Sequence, residues 1–390
     1  TVFAAGYAVA RTGVGTGSLV GVGPQLSNRE PSAPPKQFRL LNEVWNILST
    51  DFVEPKALDG DKLGRGAIDG VIAALADSHT TYIDAENLKA EQSGIRGSYE
   101  GIGANVLLVE GVLTVVAPLP GSPAEQAGIQ PGDRIVAVNG ESTKGMALSE
   151  AVNKVKGPRG SKVSLDIQRQ NETTIRNLQV TRAEIRTNSV TLVRMLPDGI
   201  AHIQITQFAQ RTGNEMRDVL KEAASQGAKG IVLDLRNNPG GLLDATVDVA
   251  GQFLEGGLAG YQVDRNGKKD SLTIRNRGDV NKLPLVVLAN RGSASGSELL
   301  TGALQDRNRA SLIGTRTFGK GSVNHLRDLS DGSALYVTIG RWLTPNGRQI
   351  EGQGLTPDYE VNLTEDDVKE RRDVQMDRAL EVLRSRVGGQ

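Results

Sequence analysis

The sequence predicts an α+β chain of several domains: a short helical segment, a small β-sandwich module, an α/β core on a mainly parallel sheet, and a closing helix. Three observations predict this. From about residue 96 to 184, short alternating strands are punctuated by Gly and Pro turns. From about 185, Val/Ile/Leu-rich strands alternate with helices, the pattern of a two-sided parallel sheet. Amphipathic segments with helical period stand before and after both regions. At 390 residues, the chain has room for two or three hydrophobic cores.

Residues 1–35 form a tail and linker. The stretch "TVFAAGYAVARTGVGTGSLVGVG" is apolar, but Arg11 interrupts it and it is too weak to span a bilayer alone. It reads either as a tail or as the remnant of a signal peptide or membrane anchor whose front is missing. "SNREPSAPPKQ" follows as an extended linker. In the helical segment, 36–95, Phe38, Leu41, Val44, Leu48 and Phe52 recur at spacings of three or four, and Pro55 closes that helix. A second helix places Leu63, Ala67, Val71, Ala74 and Leu75 on an inward face, and "ADSHTTYI" marks a structural turn around His79.

The module at 96–184 has strands "LTVVAP", "RIVAVNG" and "KVSLDIQRQ", with short helices "SPAEQAG" and "LSEAVNKVKG" between them. In the core, 185–363, strands "GIAHIQITQFA", "GIVLDLRNN", "LPLVVLAN" and "ASLIGTR" alternate with helices. The end, 364–390, reads as one charged amphipathic helix, with Thr364 as N-cap and Asp367 in the capping-box position.

Composition narrows the function. Lys+Arg 45 balances Asp+Glu 45 and aromatic residues are few, so nothing favours a nucleic-acid or anionic membrane partner. Cysteine is absent, which excludes disulfides, thiolate catalysis and Cys-ligated metals. The three histidines are scattered without paired metal-ligand spacing, and no cofactor is expected.

Chemistry in such a core belongs beyond the carboxyl ends of the strands. Two strand ends stand out: "NNPGG" after "IVLDLR", and "RGSASGSE" after "LVVLAN". Both are strand-to-helix turns whose free N–H groups can face an oxyanion. Ser295 with Glu298 fits S-x-x-E, so the ordinary reading of the serine cluster is helix capping. Catalysis remains open beside it, since a serine at a helix start can also expose its hydroxyl to oxyanion donors. The run Gly292-Ser293-Ala294-Ser295-Gly296 is not a GxSxG elbow, so the serine needs a base from elsewhere. Lys320, between Gly319 and Gly321 after an apolar strand, is a candidate. Lowering a lysine from about 10.4 to about 7 takes about 4–5 kcal/mol of differential solvation, which a dry pocket can supply. Ser293 and Ser297 are rival serines, and His325 is the rival base.

"LDLRNNPGGLL", "GSASGSELLTGALQD" and "GTRTFGKGSVN", preceded by "GSPAEQAGIQPGDRIVAVNG", together resemble the carboxyl-terminal processing peptidases, or tail-specific proteases, with their internal PDZ domain. The resemblance runs from about Phe38 to the last helix. It implies a ClpP/crotonase-like core and a serine endopeptidase with Ser295 as nucleophile and Lys320 as general base, 25 residues apart as is usual in that family. It further implies an oxyanion hole from the backbone of Gly240, Gly241 and Gly296. Asn324 stands where the family usually has a lysine-orienting glutamine and would take that catalytic role by hydrogen-bonding the amine, and Gly296 stands where the family often has alanine. In the PDZ module, backbone N–H groups of Gly101, Ile102, Gly103 and Ala104 would cradle the carboxylate of a protein or peptide substrate with a free apolar C-terminus. The resemblance implies an extracytoplasmic location in periplasm, cell envelope or thylakoid lumen, with membrane association through the missing anchor. Monomer and homo-oligomer both stay open. The alternative reading is an inactive PDZ-bearing scaffold or chaperone that binds tails.

Overall fold

A computed structural model of the chain describes residues 33–169, 172–275 and 280–387. The N-terminal tail and most of its linker lie outside the described residues. The described residues divide into two compact units: those within 33–88, 190–208 and 216–387 form the first, and those within 89–189 and 209–215 the second.

In the first unit a six-stranded sheet runs in the order Val190–Leu196, Ile200–Ile205, Gly230–Asp234, Leu285–Ala289, Ser311–Gly314, Tyr359–Glu360. Only the first pair is antiparallel; the others are parallel, as the strand–helix alternation predicts. Period-two alternation sends Ile231, Leu233, Leu285 and Val287 to one core, shared with helices Leu243–Ala250 and Gly296–Asp306. Val232, Val286 and Leu288 face the other core, against Met376, Ala379, Val382 and Leu383 of helix Val374–Val387. Both faces are therefore covered, which is why these strands are apolar throughout.

A second, antiparallel sheet escapes the sequence pattern. Strands Gly257–Asp264, Lys269–Ile274, Ser322–Asp328 and Ala334–Leu343 join Thr81–Ile83 from the segment read as helical. That segment also departs from expectation in its packing. Helices Arg39–Asp51 and Gly60–Ala73 form, but they bury no residue; Phe38, Leu41, Val44, Phe52, Leu63, Val71 and Leu75 are all exposed. Their apolar stripes are helical in period, and among the described residues nothing buries them.

The closing helix is broken in two, Glu365–Lys369 and Val374–Val387, with Arg371 at φ 55° between them. The Thr364–Asp367 capping box forms as expected, with reciprocal bonds of 3.0 and 3.1 Å. The break presents Asp373 to Arg236, whose guanidinium pairs with it at 2.8 Å and with Asp234 at 2.8 Å. Asp234 also accepts from His202 Nε2 at 3.1 Å. This network fastens the second helix to the carboxyl end of strand Gly230–Asp234.

The second unit carries the sandwich module. An antiparallel sheet of Ala104–Val109, Val112–Pro118, Arg134–Val138, Lys162–Gln168 and Ile175–Thr181, extended by Glu141–Ser142, packs against helices Pro123–Gln126 and Leu148–Val155. Leu113, Val115, Ile135, Leu165 and Ile167 are its core. Ala104–Val109 is an edge strand, paired only with Val112–Pro118.

Burial by itself would raise the Asp234 carboxyl, but hydrogen bonds from His202 and Arg236 and the Arg236 charge overcome it and hold it at about 2, against 3.8 ordinarily. A depressed carboxylate stabilises the fold fully above its unfolded value and loses that contribution as pH falls towards the folded one. Between pH 6 and pH 2.5 the network should therefore lose on the order of 2 kcal/mol. Urea unfolding at the two pH values measures this, and Asp234→Asn should remove that share of the pH dependence. An unchanged dependence in the variant would refute the assignment.

Candidate active site

Two strand ends meet backbone to backbone. Asn238, fully buried in the turn after Gly230–Asp234, accepts on its carbonyl from Ala294 N–H at 3.0 Å and from Ser297 Oγ at 2.9 Å. Its side chain donates to Ile205 O and accepts from Gly240 N–H, both at 2.9 Å. Ser293 Oγ donates to Leu235 O at 2.8 Å. The rival serines are thus both engaged in holding the two turns together. At Gly240, φ 103°, the two turns are in close contact: a Cβ there would lie 2.8 Å from Ala294 O and from Gly296 N.

Ser295 differs from its neighbours. It stands at φ 53°, ψ −113°, outside the regions open to an ordinary L residue, at a cost of about 1–3 kcal/mol. An N-cap residue normally takes an extended conformation that turns its oxygen back onto the helix amides. Here the reciprocal box is only half made: Glu298 accepts from Ser295 N–H at 2.9 Å, while Ser295 Oγ is buried with no hydrogen-bond partner. The sharp strand-to-helix turn of a nucleophile elbow is therefore present without the GxSxG sequence that advertises one.

Among the described residues, Gly241 N–H and Gly296 N–H donate to no protein acceptor; Gly296 follows Ser295 in the chain, and Gly241 N lies 3.6 Å from where a Cβ on Gly296 would stand. Gly240 is corrected as an oxyanion donor, because its N–H is taken by Asn238 Oδ1.

Lys320 is buried, with Nζ over the Tyr336 ring at 5.9 Å from its centroid. Its loop is tied to the Ser295 turn twice. Phe318 N–H donates to Ser293 O at 3.0 Å, and the Glu298 carboxylate accepts from Thr317 Oγ1, Gly319 N–H and Lys320 N–H at 2.5, 2.7 and 2.8 Å. Burial pushes the Glu298 carboxyl up, and these donors with Ser295 N–H oppose the push. One buried carboxylate therefore spans the main chains of Ser295 and Lys320. The sequence offered Glu298 only as a capping residue; its contacts across to residues 317–320 carry no local signal.

Asn324 does not meet Lys320. Its Nδ2 donates to His79 O and Thr338 Oγ1, both at 3.0 Å, and its Oδ1 accepts from Ser322 Oγ at 2.9 Å. A side chain one methylene shorter than glutamine is taken up by its own strand neighbourhood. His325, the next residue on that strand, is buried, and burial together with the Arg327 charge pulls it below the usual imidazole range.

In the second unit, a pocket of about 150 Å³ lies between the edge strand and helix Leu148–Val155, with Ile102, Gly103, Ala104, Val106, Val152 and Val155 on its walls. Ile102 N–H and Gly103 N–H, in the turn entering that strand, donate to no protein acceptor among the described residues. Ile102's side chain belongs to the module core and is itself nearly fully buried.

The model of peptidase family S41 matches residues 199–361, and that of a PDZ domain matches 114–169. The carboxy-terminal processing protease CtpA of Bacillus subtilis (strain 168) is 38% identical over 339 residues, covering 87% of this chain and 72% of that protein. This chain belongs to the S41 family of carboxy-terminal processing serine peptidases. A CtpA-like serine protease of Staphylococcus aureus (strain COL) is 40% identical over 83% of this chain; the match spans 64% of that longer protein. The S41 protease structure from Bacteroides fragilis NCTC 9343 shares the fold, with a TM-score of 0.52 at 16% identity over 93% of this chain and 100% of that one.

The glycine at 296, where the family resemblance leads one to expect alanine, has a local reason: a Cβ there would sit 2.6 Å from Thr246 Oγ1. Gly296→Ala should therefore cost about 1–3 kcal/mol of stability as an overpacked site. Adding Thr246→Ala should recover more than half of it, and simple additivity of the two changes in urea unfolding would disprove the clash.

Proposed function

We propose that the chain is an endopeptidase that cleaves near the C-terminus of proteins, with Ser295 and Lys320 as a catalytic dyad and the PDZ module as receptor for a free apolar tail. The observation that carries this is the conformation of Ser295: a strained, buried residue whose hydroxyl no protein group engages, between two amides with no acceptor. Strain of this kind persists where surrounding structure imposes it, and its cost is a reason to look for function.

In this reading the neutral Lys320 amine takes the Ser295 hydroxyl proton as Oγ attacks the scissile carbonyl. The tetrahedral oxyanion forms towards Gly241 N–H and Gly296 N–H, donors already in place and so requiring little reorganisation. Collapse of the intermediate breaks the C–N bond. The Lys320 ammonium returns its proton to the departing amine, and an acyl group is left on Oγ. Water then attacks the ester with the amine again as base. Asn324 contributes indirectly, by fastening the strand that follows Lys320 to His79 O.

The module fits a tail. An unpaired edge strand can accept another strand, Ile102 N–H and Gly103 N–H can hold a terminal carboxylate, and the pocket beside them accepts one short apolar side chain. The more exposed part of that role falls to Val152, since Ile102 and Val155 both belong to the module core.

On an unfolded polypeptide with an apolar tail, Ser295→Ala and Lys320→Ala should each lower kcat by at least about 10³-fold. The wild-type rate should rise with pH as the amine loses its proton. Full activity in Lys320→Ala would remove the dyad. Amidating the substrate's C-terminus should raise KM at least about tenfold and leave kcat alone; equal cleavage of free and amidated substrates would remove the receptor role.

A further inference from the structure

Three consecutive main-chain amides carry the segment on which Lys320 sits, and all three are held by carboxylates. Gly319 N–H and Lys320 N–H donate to Glu298 at 2.7 and 2.8 Å, and Gly321 N–H donates to Glu351 Oε2 at 2.9 Å. The two acids approach from different parts of the chain. Glu298 lies in the first turn of helix Gly296–Asp306, three residues after Ser295, and accepts that serine's own N–H at 2.9 Å. Glu351 lies in the loop after strand Ala334–Leu343, and its other oxygen, Oε1, pairs with His79 Nε2 at 3.1 Å. The fit is close on the Glu351 side too: a Cβ on residue 321 would fall 2.3 Å from Glu351 N.

We infer that Glu298 and Glu351 are positioning residues for the reaction: together they clamp the lysine loop, and Glu298 fixes its distance from the serine. The inference rests on the Ser295–Lys320 reading above. Four donors converge on Glu298, which suits an ionised, acceptor-only carboxylate with four lone-pair directions. A neutral amide in its place keeps one acceptor oxygen and turns an NH₂ towards the donors that Oε2 now satisfies. The Glu351 arm is partly solvent-exposed and holds one amide, so its removal loosens the loop from one side only. Neither acid touches the reacting atoms. Glu298 acts through the main chain of the two residues that do, and Glu351 through the amide of Gly321 beside Lys320; misplacement of reacting groups by about 1 Å is enough to cost roughly 10²-fold in rate.

The test uses the full chain and two readouts that a general structural role would not separate. One is the rate at which a small fluorophosphonate labels Ser295, which needs no tail. The other is the affinity of an apolar-tailed peptide for the PDZ module, taken with the circular dichroism and urea unfolding of the whole chain, which together report an intact fold. Glu298→Gln should slow labelling at least about 20-fold, and Glu351→Ala about three- to tenfold, each with tail affinity within twofold of wild type. In peptide hydrolysis the loss should fall on kcat, with KM unchanged. Should Glu298→Gln fail to fold, Glu351→Ala still decides, because its side chain borders solvent. Labelling within twofold of wild type in either folded variant overturns the clamp. Lys320→Ala is the control for the underlying reading: if it labels normally, the dyad fails, whereas loss in Lys320→Ala with normal labelling in the acid variants sinks the clamp alone.

Discussion

Ser295 can hold φ 53°, ψ −113° only because its surroundings leave it no relaxed alternative. On one side Ala294 N–H and Ser297 Oγ are fixed to the single carbonyl of Asn238, and Ser293 Oγ to Leu235 O. On the other, the Ser295 N–H is held by Glu298. Beneath it the Gly240 backbone approaches so closely that no side chain fits. Relaxing Ser295 towards an ordinary N-cap geometry would break several of these bonds at once. Each is worth about 1 kcal/mol net, so together they exceed the strain. The serine cluster is therefore a division of labour, in which two hydroxyls are used as fasteners so that the one between them need not be.

The fasteners work because the strand ends they join are themselves rigid. Strands Gly230–Asp234 and Leu285–Ala289 are buried on both faces and paired in parallel, so their carboxyl ends are fixed relative to each other. The Arg236 network adds an anchor at the first of these ends, directly before the Asn237–Gly241 turn. Buried ion pairs of this kind carry a large desolvation cost and are weak as sources of stability, but losing one partner leaves a charge stranded. Their value here is directional. They make the position of the turn depend on the docking of helix Val374–Val387, more than a hundred residues away in sequence.

The parallel core was legible because its strands carry their own signal: continuous Val, Ile and Leu runs between helices can hardly be anything else. Three strands and the short helices of the second module were legible from a different signal, short alternation punctuated by Gly and Pro turns. What stayed hidden is non-local. Strands Ser322–Asp328 and Ala334–Leu343 alternate imperfectly, and they bury polar residues such as Asn324 and His325 that a pattern of apolar alternation passes over. The helices at 39–73 show the converse failure: their period is correct, but period says nothing about whether a partner surface exists. At the site, residue types and spacing pointed to Ser295 and Lys320, yet two details went astray. Gly240 and Gly241 look equivalent in sequence, and only the Asn238 side chain distinguishes the amide that is occupied from the one that is not. Glu298 reads as a capping acid because that is half of what it does; the other half depends on residues 317–320 folding back over it.

A lysine amine sits at the end of four rotatable bonds, and to act in line with a hydroxyl it must be confined from its tip, its stem or its main chain. Asn324 is committed to Ser322, Thr338 and His79 O, so it cannot serve as the confining group at the tip. The stem is enclosed, with the amine over the Tyr336 ring. The main chain is held residue by residue from Phe318 to Gly321, by Ser293 O, Glu298 twice, and Glu351. Restricting the chain that carries a flexible side chain narrows the volume its tip can search, and a wall narrows it further. In this protein a short amide at position 324 is thus compatible with an ordered segment around Lys320, because that segment is held through its own main chain.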